Sequence, residues 1–170
     1  MKRPLQPPAS KIVLLGTGTP DADPTRSGPA VAVVVNRSPY LVDAGPGVVR
    51  RAAAAYEAGV PGLAMTRLNR VFRTNVDSDH TVGLPDLMLT PWPMGRTEPL
   101  EVFGPPGTQA MAKHILAAYA EDIRERVEGP EPANPAGYRV HVTEIAAGPI
   151  YEDEHVAVEA FPVADSSCTA

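Results

Sequence analysis

Apolar positions along the chain fall in short, β-branched runs rather than in long helical stripes. Residues 11–15 (KIVLL), 30–35 (AVAVVV), 40–42 (YLV) and 70–73 (RVFR) are each bounded by Gly, Pro or Asn, the pattern of buried strands. Further strands are expected at 100–103, 139–145 and 156–163. Asn36, Arg37, Ser38 and Pro39 separate the second run from the third and suit a tight turn, so these two strands should pair as a hairpin. Two segments have helical spacing instead. Residues 48–58 close at Gly59, and 108–127 close at Gly129 with Met111, Ile115, Tyr119, Ile123 and Val127 forming an apolar stripe that should cover a sheet. The chain therefore reads as an α/β (α+β) protein.

Its 170 residues, 44% apolar and 21% charged, are ordinary for one globular domain. The proline-rich stretch 129–137 has the look of a linker, but strands follow it at once without a change of composition. One domain over 11–170, after a flexible segment 1–10, is the expectation. A net charge of -5 with no long run of one sign lacks the electrostatic footprint of a polyanion binder, so nucleic acid is not an expected partner. The opening MKRPLQPPAS has no apolar segment behind its basic residues, and no run approaches the roughly 18 apolar residues of a membrane span, so a cytoplasmic protein is expected. The single cysteine, Cys168, can form neither an intrachain disulfide nor a thiolate metal site by itself. His114 lies beside the apolar stripe with no partner near it in sequence and reads as a surface or packing residue.

Three segments carry chemistry. KIVLLGTGTP is a strand entering a turn with Gly16 and Gly18, followed by Pro20, Asp21, Asp23 and Pro24 rather than by the helix a pyrophosphate would need, so it reads as a tight turn. YLVDAGPG delivers Asp43 to a glycine-rich turn just before a helix, where it would cap that helix or order the turn. VFRTNVDSDHTVGL runs from a strand into a loop with Asn75, Asp77, Asp79 and His80. Oxygens at alternate loop positions can converge on a cation, and a solvated acidic turn is the alternative. Asn75, Asp77, Asp79 and Asp86 also fall at EF-hand-like spacing, although His80 stands where that loop needs glycine and a strand leads in.

Taken in order, LGTGTP, YLVDAGPG, the His/Asp loop, SDHTVGLPDL and PLEVFGPPGT resemble the metallo-β-lactamase superfamily, in its arylsulfatase-like and tRNase Z-like branch, over about residues 11–170. The resemblance implies the N-terminal half of a four-layer αββα sandwich with a mostly antiparallel sheet. It also implies a dinuclear zinc site in intact relatives, whose loop reads T-H-x-H-x-D-H with a further histidine after a later strand. Thr74, Asp79 and His80 match that motif, whereas Asn75, Asp77 and Asp165 stand where three histidines are expected. The implied ligand set is thus Asn75, Asp77, Asp79, His80 and Asp165, with Asp43 and Thr74 as support and Asp79 as the catalytic candidate. Zinc prefers imidazole and thiolate, so this oxygen-rich set suits Mn or Mg better, or holds no metal.

By family, the implied function is hydrolysis of an ester, sulfate ester or phosphodiester by metal-activated water, impaired in this chain by the lost histidines and the missing half. The alternatives are a non-catalytic relic or binding module of the same fold, and a calcium-binding loop protein. Because the opposing sheet would be missing, KIVLL and AVAVVV should expose apolar residues on the inner sheet face, with self-association through that face as the consequence.

Overall fold

The computed structural model describes residues 10–130 and 132–163. Strands β1 (Ser10–Gly16), β2 (Ala30–Val35) and β3 (Ser38–Val42) form an antiparallel meander. The β2–β3 turn is tighter than the expected four residues: Val35 pairs with Ser38, and Asn36 (φ 50°) and Arg37 (φ 74°) both take the left-handed conformation of a two-residue hairpin. From β3 onward the pairing changes. Strands β4 (Arg70–Phe72), β5 (Leu100–Gly104) and β6 (Val140–Glu144) add in parallel, giving one sheet in sequence order β1 to β6.

Parallel neighbours need crossovers, and helices supply them. Helix α1 (Val48–Glu57) lies between β3 and β4, α2 (Ser78–Thr81) and α3 (Leu84–Leu89) between β4 and β5, and α4 (Thr108–Ala118) and α5 (Ala120–Glu128) between β5 and β6. A separate antiparallel pair, β7 (Gly148–Glu152) and β8 (Ala157–Ala160), completes the described residues. The α/β class is as expected, with antiparallel pairing at β1–β3 and β7–β8 and parallel pairing between. No helix among the described residues is long and apolar enough to cross a membrane.

Alternation along each strand divides the apolar residues between two faces. On one face Leu15, Ala32, Leu41, Val71 and Val102 pack with Val48, Val49 and Ala52 of α1 and Leu84, Leu87 and Met88 of α3, while Ala112 of α4 closes over β5 and β6. On the other face Val35, Tyr40, Phe72 and Phe103 form a second cluster, covered by Ile150, Tyr151, Val156 and Val158 from the β7–β8 hairpin and its turn. The hairpin thus starts a second layer of sheet. It does not cover β1, where Ile12 and Leu14 remain 75% and 66% exposed. The expected exposure therefore holds for KIVLL but not for AVAVVV, whose valines are buried or half-buried.

Other expectations need correction. The helix expected over 108–127 is two helices broken at Tyr119 (φ −105°, ψ 17°). Met111, Ile115 and Leu116 pack on the core, but α5 buries no residue fully, because the stripe outruns the sheet that α4 covers. The strand expected at 156–163 is confined to Ala157–Ala160, while β7, α2 and α3 were not foreseen. The stretch near 129–137 packs back on the body: Trp92 Nε1 donates to Asn134 O (2.7 Å), and Asn134 Nδ2 donates to Arg96 O (3.0 Å).

Two polar networks bind these layers. Arg96 is fully buried without a carboxylate, and its guanidinium donates to the carbonyls of Leu68, Leu87, Met88 and Gly137 at 2.5–3.2 Å. Leu87 and Met88 lie near the C-terminus of α3, so the arginine satisfies carbonyls that the helix leaves orphaned. Burial lowers its pKa to about 10, which keeps it charged at neutral pH. The other network docks the hairpin. Asp153 Oδ2 accepts from both Tyr40 Oη and Tyr151 Oη at 2.7 Å, and Oδ1 accepts from the amides of His155 and Val156. The Arg70 guanidinium lies over both tyrosine rings, 5.2 and 4.6 Å from their centroids, an arrangement that adds cation–π attraction.

Arg96→Met should destabilise the fold by at least about 2 kcal/mol, because it leaves several buried carbonyls unpaired at once; chemical denaturation measures this. Desolvation pushes the Asp153 carboxyl up, but the hydroxyls of Tyr40 and Tyr151 and the two amides outweigh it and hold the pKa well below the usual carboxylate range. A depressed folded pKa means stability that is fully present above the ordinary carboxylate pKa and lost as pH falls through the folded value. Thermal melts of wild type and Asp153→Asn should therefore differ at pH 7, by about 1–2 kcal/mol, and begin to draw together only as the pH falls below about 4, toward the depressed folded value.

Candidate functional site

Strands β3 and β4 are parallel neighbours, so their C-terminal ends open on one edge of the sheet, the edge where such sheets place ligand sites. Asp43 follows β3 and Thr74 lies just beyond β4. The Asp43 backbone takes a left-handed conformation (φ 62°) and its amide donates to Phe72 O at 2.8 Å. Its side chain, in a residue only 6% exposed, reaches across to the neighbouring loop. Oδ1 accepts from the Thr74 amide (2.9 Å), the Thr74 hydroxyl reaches both carboxylate oxygens (3.1 and 2.9 Å), and His80 Nδ1 is 2.8 Å from Oδ2. An ionised carboxylate only accepts, so Nδ1 is the protonated nitrogen. His80 Nε2 then faces Asp79 Oδ2 at 3.6 Å.

Two of the sequence motifs meet here, with Pro29 beside them. His80 O accepts from the Ala44 amide (2.9 Å), Ala44 O from the Gly83 amide (2.8 Å), and Pro29 O from the Gly45 amide (3.0 Å). A Cβ on Gly45 would sit 2.7 Å from Asp79 O, and one on Gly83 would sit 2.1 Å from Gly45 O. Only glycine lets these backbones approach so closely. Asp43 does not cap α1, whose N-cap is Gly47 without a side-chain hydrogen bond. Its carboxylate is spent on the next loop.

The four loop candidates Asn75, Asp77, Asp79 and His80 lie together, as one segment entering α2, while Asp165 and Cys168 lie outside the described residues. Asn75 Oδ1 accepts from the Asp77 amide at 2.9 Å, and Asp77 O accepts from His80 N (3.1 Å) and Thr81 Oγ1 (2.9 Å). Among the described residues no three His, Cys, Asp or Glu side chains are grouped to hold a metal. The zinc implied by the resemblance meets one imidazole, with one nitrogen engaged by Asp43, and an amide oxygen engaged inside its own turn. This donor set does not fit zinc, which favours several imidazoles or thiolates. Nor is the loop an EF-hand: β4 leads into it, and Asp86 is engaged elsewhere by Arg50 Nη1 (3.2 Å) and the Thr90 hydroxyl (2.5 Å).

Sequence reasoning missed Arg73. This residue is 2% exposed, with Nη1 donating to Thr108 Oγ1 and Nη2 to Asn75 O, each at 3.1 Å, while Nε lacks a partner. Burial lowers the pKa of its guanidinium and the nearby Asp43 charge raises it in part. The signal was an arginine directly after the apolar pair Val71 and Phe72, where strand alternation continues into the interior. His114 is exposed, consistent with a surface residue.

Beside the loop, Thr19, Pro20, Asp23, Arg26, Ser78 and Asp79 line an open groove of about 440 Å³. The turn after β1 thus forms the far wall of a groove whose near wall carries the catalytic candidate Asp79.

No family model matches the chain. It is 35% identical over 156 residues to a ribonuclease Z of Mycobacterium bovis, covering 89% of this chain and 53% of that protein, and 36% identical over 155 residues to one of a Mycobacterium sp. (strain KMS), covering 89% and 52%. The chain thus spans about half the length of the curated relatives it matches. Among solved structures, human tRNase Z, short form, superposes with a TM-score of 0.60 at 23% identity over 78% of this chain and 43% of that one. A diphosphatase of the PhnP family superposes at 0.56, with 18% identity over 85% and 54%. None of these is an arylsulfatase, so the arylsulfatase-like side of the expected resemblance gains no support. Several are named for action on RNA, against the expectation that nucleic acid is not a partner. By its ordered motifs, its relatives and its fold, the chain belongs to the metallo-β-lactamase superfamily, in the tRNase Z-like branch.

Proposed function

We propose that this chain carries part of a phosphodiester hydrolase of the ribonuclease Z type, with RNA as the substrate class, and that by itself it hydrolyses phosphodiesters only near background. The observation that carries the reading is the junction of Asp43, Thr74 and His80 beside Asp79, which keeps the supporting frame of the motif while its donor set does not fit zinc. In this frame Asp43 orients His80, Thr74 ties the two strand ends, and Asp79 presents its carboxylate at the groove. Arg26, paired with Asp23 at 3.8 Å, is the cation on the opposite wall. Whole-chain charge is a poor guide to such a partner, because a net value of -5 averages over surfaces that never meet the substrate. A non-catalytic module of the same fold is the second reading, favoured by the internal engagement of Asn75 and of His80 Nδ1.

An assay with an aryl phosphodiester and a structured RNA, with added Zn²⁺ or Mn²⁺, tests the proposal against an Asp79→Ala, His80→Ala double variant. Both proteins should turn over near background, and robust metal-dependent turnover lost in the double variant would show the donor set to be competent. Restoring histidine at 75, 77 and 165 should raise bound zinc, measured by elemental analysis after gel filtration, by at least about 10-fold; loss of mere supporting contacts around a metal already costs that much.

A further inference from the structure

We propose that the buried Arg73 guanidinium, rather than a metal ion, is the cation that holds residues 74–81 in place, so that this loop takes its fold without zinc. The inference rests on local geometry and not on the hydrolase reading. A loop carrying Asp77 and Asp79 above the buried Asp43 gathers negative charge at one strand edge, and unpaired carboxylates so placed repel each other unless a cation intervenes. Arg73 supplies a cation from below. It grips the loop at Asn75 O and the start of α4 at Thr108 Oγ1, and Thr108 in turn donates to Pro105 O at 2.6 Å. The guanidinium thereby bridges the loop after β4 to the turn after β5.

Filling this space with an apolar side chain would avoid burying a charge and an unpaired Nε–H. The arginine instead donates two bonds that an apolar residue cannot make. Its own amide donates to Phe103 O at 2.7 Å, so the head of the bridge is anchored in the β4–β5 ladder. Every other link in the loop is internal too: Asp43 holds Thr74 and His80, and Asn75 holds the Asp77 amide. Where a metal organises a loop, folding of that loop depends on the metal. Here no link requires one.

Hydrogen exchange of the 74–81 amides and the melting temperature, both measured in EDTA and in excess Zn²⁺, test this without any activity readout. Wild type should show the same loop protection and melting temperature in both conditions. Arg73→Met should speed exchange across 74–81 by about 10-fold or more, the loss expected for charge-assisted bonds. If Arg73→Met does not fold, Arg73→Lys serves, because it keeps the charge while one ammonium cannot span Thr108 and Asn75; exchange should then rise in 74–81 and not in β1–β2. Loop protection or a melting temperature in wild type that falls in EDTA would overturn the proposal, as would unchanged 74–81 exchange in the variant that folds.

Discussion

Everything at the site depends on one buried carboxylate. Asp43 leaves β3 in a left-handed turn and spends both oxygens on Thr74 and His80, tying the end of one strand to the loop after the next. Charge-assisted hydrogen bonds of this kind are about twice as strong as neutral ones. In a part-buried position each also removes a desolvation penalty that the carboxylate would otherwise carry. The glycines at 45 and 83 then let the backbones close around the bond. The loop's shape is thus set by a neighbouring strand as well as by its own residues.

The same principle recurs away from the site. Arg96 gathers four carbonyls from three segments, and Asp153 gathers two tyrosine hydroxyls and two amides under Arg70. In each network one polar group is surrounded by several partners of the opposite character. Such groups define which surfaces meet, while the apolar clusters on the two sheet faces provide most of the driving force. Arg73 differs by leaving one donor unpaired, which marks it as the least satisfied of the buried arginines.

In the segment that resembles a metal motif, the frame and the expected donors part company. Thr74, Asp79, His80 and Asp43 keep a connected geometry, yet of the positions that resemblance assigns to histidines, 75 holds an amide directed into a local turn and 77 an aspartate that joins the turn through its backbone. An amide oxygen that accepts from the amide two residues on is an Asx turn, a stable state for asparagine that histidine does not share. Loop geometry and ligand chemistry are therefore separable in this chain.

By itself the sequence determined the elements whose pattern is local. Runs of β-branched residues between turn formers placed seven of the eight strands near their positions, and Asn36-Arg37 supplied the hairpin, because period-2 alternation and turn propensity act over a few residues. It also placed Asn75, Asp77, Asp79 and His80 in one loop, since adjacency in chain guarantees adjacency in space. Tertiary structure decided the rest. The parallel order of β3 to β6, the break at Tyr119 and the partnership of Asp43 with residues 31 and 37 positions away depend on which surfaces the sheet offers once assembled. Arg73 belongs with these: a lone charge after an apolar pair reads as surface until the strand's register carries it inside, where Thr108, brought there from beyond β5, and Asn75, two residues further along, receive its hydrogen bonds.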